Sequence, residues 1–189
     1  MNETYKVQVQ DLVDDLKAVF THAGLGGEAG EYKLLTQSFL YKFLNDKFLY
    51  QAKILDESNT YENLWAMSEE DYDWLLEDIG TSTAWLKPDQ LIETLHRQQN
   101  EATFYEIFEN TLNQIAIDNN DIFSVHTDGD TAIRLFDERL ITDTISDSSK
   151  RNEVAKAIIN LLARVKFDET IFSQGFDFFS TLFEYMIKD

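Results

Sequence analysis

Few residues in this chain have types and spacings that could do chemistry. The glycines Gly24, Gly26, Gly27 and Gly30 of AGLGGEAG offer backbone N–H groups of the kind that cradle phosphate. Such a cradle needs a strand feeding the turn and a helix N-terminus receiving the anion. Here a helical pattern precedes the glycines and no G-x-x-x-x-G-K-[ST] occurs, so they read as a flexible helix–helix connection. His22, His96 and His126 stand far apart with no partner at i+3 or i+4, so they do not supply metal-ligand spacing and read as surface or helix-end residues. Asp128-Gly129-Asp130 resembles a fragment of a calcium loop, but the other ligand positions are wrong and a tight turn is expected. Glu69/Asp73 and Asp73/Glu77 fall one helical turn apart and could share a proton or a cation. At this density of carboxylates a solvated face is the better reading. No serine sits in a G-x-S-x-G elbow. The absence of cysteine excludes disulfides, thiolate zinc sites, iron–sulfur clusters and cysteine nucleophiles. No catalytic or metal constellation is visible.

The elements that would position such residues are helical almost throughout. Val9, Leu12, Val13, Leu16, Val19 and Phe20 form one stripe with steps of three and four. After the glycine connection at residues 23–30 comes a wide stripe of Leu34, Leu35, Phe39, Leu40, Phe43, Leu44, Phe48 and Leu49, the pattern of a central helix. Residues 56–63 are polar and read as a loop. Ser68 offers an N-cap to a short helix that carries Glu69, Glu70 and Asp71 in its first turn and stops at Gly80. Pro88, the lone proline, suits the first position of a helix over Asp89–Gln98. Further helices are expected over Thr103–Asn119, Thr131–Leu140, Ser149–Val165 and Asp177–Lys188, with a short extended piece at Ile122–Val125. The expected fold is all-α: one orthogonal multi-helix domain over residues 1–189, with short irregular connections and room for one minor strand pair.

The composition narrows the function. The chain has 189 residues, 43% hydrophobic and 13% aromatic, which fits one well-cored domain and excludes disorder. Its net charge of −19 is uneven: residues 1–53 hold 6 basic against 7 acidic side chains, residues 148–189 hold 6 against 6, and residues 54–147 hold 4 against 22. Such a field repels free nucleic acid, so contact with a polyanion belongs to the near-neutral ends. For most of the carboxylates solubility is a sufficient account. No apolar run approaches the ~18 residues of a membrane span, and the start, MNETYKVQVQDLVDD, lacks a signal peptide's basic and apolar regions. These features point to a soluble cytoplasmic protein. At the far end Phe176, Phe178, Phe179, Phe183 and Tyr185 are spaced as a core face rather than as a base-stacking platform among basic residues. This stripe runs to Asp189 without a cap, which reads as part of something longer.

Two stretches carry a resemblance to a known family. One is Leu16–Leu49, LKAVFTHAGLGGEAGEYKLLTQSFLYKFLNDKFL, where a helix and a glycine-containing gap lead through E-Y-K into a long helix. The other is the closing GFDFFSTLFEYMIKD, where Asp177 and Phe183-Glu184-Tyr185-Met186 occupy the place of a D-x-x-x-x-x-Y-E-Y-L-like helix. Together they resemble the N-terminal helical domain of the modification (M) subunit of type I restriction-modification systems, the adenine-N6 DNA methyltransferases. The acidic middle is similar only in helical content. The resemblance implies a noncatalytic domain that packs on the specificity subunit and a second methyltransferase subunit. It also implies closure around DNA within that assembly while a separate catalytic domain flips the target base.

Catalytic residues do not carry over. The family's S-adenosylmethionine loop follows a strand, which is missing here, and its N-P-P-[FY] motif cannot exist with one proline. S-adenosylmethionine is therefore implied only for a catalytic domain outside this chain. Family members often carry an Arg before the gap, whereas Lys17–Gly30 has none. Lys33, Lys42, Lys47 and Lys53 on the long helix are the candidate DNA or partner contacts. The alternative is a stand-alone acidic interaction protein, such as a DNA mimic that presents residues 54–147 to basic DNA-binding partners.

Overall fold

Val9, Leu12, Val13, Leu16 and Phe20 are all buried, on one face of the first helix, α1 (Glu3–His22). The computed structural model describes residues 3–120 and 136–174. α1 ends in a Schellman turn: Gly24 adopts φ +86°, its N–H bonds Thr21 O at 3.0 Å, and Leu25 N–H bonds Phe20 O at 2.8 Å. A side chain at Gly24 would be strained in that left-handed conformation, which is why glycine follows the helix. The connection is shorter than expected. The second helix, α2 (Ala29–Leu55), already contains Gly30, where a Cβ would lie 3.4 Å from Thr144. That glycine serves close packing rather than a turn.

α2 is the axis of the fold. Its 27 residues span roughly 40 Å, and the six consecutive residues Tyr41–Asp46 are buried, so it is covered on all sides at its middle. It packs against α1, α4 (Glu69–Ile79), α7 (Leu140–Thr144) and α8 (Ser148–Arg164). α8 in turn touches α1, α5 (Ile92–Arg97) and α6 (Phe104–Asp118). Contacts radiate from these two helices rather than running from each helix to the next. The last helix among the described residues, α9 (Glu169–Gln174), stacks Phe172 edge-on against Phe43.

Several boundaries differ from the sequence expectation for local reasons. Residues 61–63, expected in a loop, open the short helix α3 (Tyr61–Ala66), because Thr60 Oγ1 caps Asn63 N–H at 3.3 Å and Leu64 is buried. The helix expected over Asp89–Gln98 is divided into a 3-10 turn at Pro88–Gln90 and α5. Leu91 is extended there because α2 holds two backbone groups that a continuous helix would use. Tyr41 Oη donates to Gln90 O at 2.6 Å, and Asn45 Oδ1 accepts Ile92 N–H at 2.9 Å. Of the helix expected over Thr131–Leu140, the described residues Phe136–Arg139 are not helical, and α7 starts only at Leu140. The extended piece at Ile122–Val125 and the helix at Asp177–Lys188 lie outside the described residues. The described residues contain no strand, and the fold is all-α.

Three helix starts that lack a local side-chain cap are capped from a neighbouring helix instead. Asn45 of α2 takes the first N–H of α5. Asn152 of α8 accepts Tyr105 N–H at 3.0 Å and donates to Ala102 O at 2.7 Å, closing the start of α6. Glu109, buried on α6, accepts Thr142 N–H at 2.7 Å and the Thr142 hydroxyl at 2.8 Å, at the start of α7. In each case a backbone N–H that the helix geometry leaves open is satisfied and two helices are fixed to one another.

Candidate functional site

The four lysines selected on α2 separate into different environments. Lys42 is interior, with 4% of its side chain exposed, and its Nζ pairs with Asp46 at 2.9 Å. Burial lowers the Lys42 pKa, and the Asp46 carboxylate opposes that shift. Asp46 also accepts Phe167 N–H at 2.8 Å and the Asn45 amide at 2.9 Å, so this ion pair ties α2 to the chain between α8 and α9. Lys42 thus belongs to the packing and cannot meet a phosphate at the surface. Lys33 is 57% exposed and pairs with Asp137 at 3.1 Å. Lys47 lies 5.8 Å over the Phe43 ring, and Lys53 is exposed in the last turn, where the helix dipole favours a cation. Lys33 and Lys53 are 20 residues apart, which places them about 30 Å apart on roughly opposite sides of the helix. The structure does not gather the four into one basic patch.

The glycine connection is no anion cradle either. Gly27 N–H is taken by the Glu31 carboxylate at 2.7 Å, and Glu28 stands exposed beside it. With a helix before the turn and carboxylates at its mouth, it does not fit phosphate or the S-adenosylmethionine loop. His22 ends α1, exposed, with Nε2 4.0 Å from Glu153. His96 is half-buried, 3.0 Å from Asn160 Oδ1. The two do not converge, and His126 and Asp128-Gly129-Asp130 lie outside the described residues. Among the described residues no group of three or more His, Asp or Glu could hold a metal ion, and no helix is long and apolar enough to cross a membrane.

The acidic middle is where the surface is distinctive. α4 buries Tyr72, Leu75, Leu76 and Ile79 against α2 and turns Glu70, Asp71, Asp73, Glu77 and Asp78 to solvent. Ser68 caps it as expected, accepting Asp71 N–H at 3.1 Å. The pairs Glu69/Asp73 and Asp73/Glu77 lie on this solvated face. Sequence reasoning missed Trp74, which is 60% exposed in the middle of that face. The signal was present: Trp74 falls off the apolar stripe that defines the helix. No protein-family model, curated protein or solved structure matches the chain.

Proposed function

We propose that the chain is the noncatalytic N-terminal helical domain of a type I restriction-modification DNA methyltransferase subunit, acting in the cytoplasm. Its role is to assemble with the specificity subunit and a second methyltransferase subunit and to help close the complex around DNA. One observation carries this reading. Residues 16–49, which bear the resemblance, fold as the end of one helix, a glycine turn and a long helix, and that long helix, α2, is one of the two helices from which the packing radiates. An architectural role suits a domain in which Asn45, Asp46, Glu109 and Asn152 fix separate elements to one another. Lys33, Lys47 and Lys53 remain as contact candidates; Lys42 does not.

The test is co-expression with a type I specificity subunit, followed by size-exclusion chromatography and calorimetry with S-adenosylmethionine. A stable complex without methyl-donor binding by this chain is expected. Micromolar binding of S-adenosylmethionine, or failure to assemble, overturns the proposal.

A further inference from the structure

Trp74 has an unusual setting. Its neighbours one helical turn away in both directions, at i−4, i−3, i+3 and i+4, are Glu70, Asp71, Glu77 and Asp78, and all four are exposed. Among the described residues, none of the four takes part in an ion pair. The helix itself accounts for Glu70 and Asp71, which occupy the first turn where the dipole favours anions; Asp71 also accepts the Ser68 hydroxyl at 2.8 Å. It does not account for Glu77 and Asp78. They occupy the last turn, where anions are disfavoured, and no basic residue offsets them there.

An indole ringed by carboxylates matches one side chain especially well. A guanidinium can lie flat on the ring while its N–H fork reaches the carboxylates beside it. The molecule already makes this arrangement internally: the Arg97 guanidinium lies 4.6 Å over the Tyr61 ring, with Glu93 at 2.5 Å and Glu62 at 3.4 Å. At Trp74 the ring and the carboxylates are present and no arginine of the described chain supplies the cation. A nucleic acid would be repelled from this face, and an apolar partner would bury four carboxylates without counter-charges. We propose that the Trp74 face of α4 docks an arginine-bearing segment of a partner protein, with the guanidinium stacked on the indole. This inference does not rest on the methyltransferase reading.

The probe is a fluorescently labelled octa-arginine peptide, titrated against the full chain at low and physiological salt by anisotropy, with octa-lysine for comparison. Octa-arginine should bind more tightly than octa-lysine. Trp74→Ala should weaken it about tenfold, and Trp74→Phe should retain most of the affinity. Glu77→Gln/Asp78→Asn should weaken binding more than Asp11→Asn/Asp14→Asn, which removes the same charge from exposed positions of α1. Failure to bind octa-arginine overturns the proposal. So does an unchanged affinity in Trp74→Ala, or equal losses in the two charge-neutralised variants, because binding would then follow the diffuse acidic field.

Discussion

α2 and α4 both place charged residues one helical turn apart, with opposite results. On α2, Lys42 and Asp46 are buried, paired at 2.9 Å and further bonded to Phe167 and Asn45. On α4, Glu70, Asp71, Glu77 and Asp78 stand in solvent without ion pairs among the described residues. The helix alone does not decide between these fates. The middle of α2, Tyr41–Asp46, is enclosed and so must satisfy its charges internally, whereas α4 packs one face on α2 and leaves the other open. Charge is architecture in the first helix and available surface in the second.

The largest effect expected from breaking this contrast comes from Asp46→Ala. It leaves the Lys42 ammonium, Phe167 N–H and the Asn45 amide without their acceptor, and removing one partner of a buried pair costs about 3–5 kcal/mol. Thermal unfolding should show Tm falling by about 10 °C. Lys42→Met should cost less, because Asp46 keeps two N–H donors. The pair also has a pH signature. Because the folded-state pKa of Lys42 lies below 10.5, the unfolded chain holds that proton more tightly, and stability gains a rising component as pH climbs from the lowered value towards 10.5. Lys42→Met should remove that component relative to the parent chain. If Asp46→Ala melted with the parent, the buried pair would not be structural and the contrast with α4 would be lost.

A smaller effect is expected at Glu109. Glu109→Ala removes the acceptor of Thr142 N–H and its hydroxyl at the start of α7. Leaving such partly buried donors unpaired costs about 1 kcal/mol. Amide hydrogen exchange should show the α7 amides losing protection before those of α6. Protection lost equally everywhere would mean that Glu109 supports the whole core rather than this one junction.

The same residues show what could be read from the sequence. Apolar periodicity located α1, α2, α4, α6 and α8, and the cap at Ser68 was visible because its partner lies three residues away. The caps supplied by Asn45, Asn152 and Glu109 were not visible, since each joins residues 33 to 47 positions apart that only the packing brings together. Lys42 was misplaced for a similar reason. Lys and Asp at i and i+4 form the usual pattern of an exposed helical pair, and nothing local shows that the chain at Phe167 covers them. Trp74 was the reverse case, a residue whose exposure followed from the stripe but whose acidic surroundings mattered only once that face proved open.

The smallest effect gives the sharpest comparison, because it concerns opposite ends of one helix. Glu77→Gln/Asp78→Asn removes two anions from the last turn of α4, and Glu70→Gln/Asp71→Asn removes two from the first. Both variants change the net charge equally, so any general relief of self-repulsion is common to them. The dipole term is not: it favours anions at the first turn and disfavours them at the last, by about 0.3–1 kcal/mol each when exposed. Denaturant unfolding should therefore place the last-turn variant above the parent and the first-turn variant below it, where Asp71 also loses its charged contact with Ser68. Were both variants to rise together, overall repulsion would dominate and Glu77 and Asp78 would carry no special cost to α4. If only the last-turn variant rises, those two carboxylates weaken the helix that bears them, and α4 gives up stability to keep them beside Trp74.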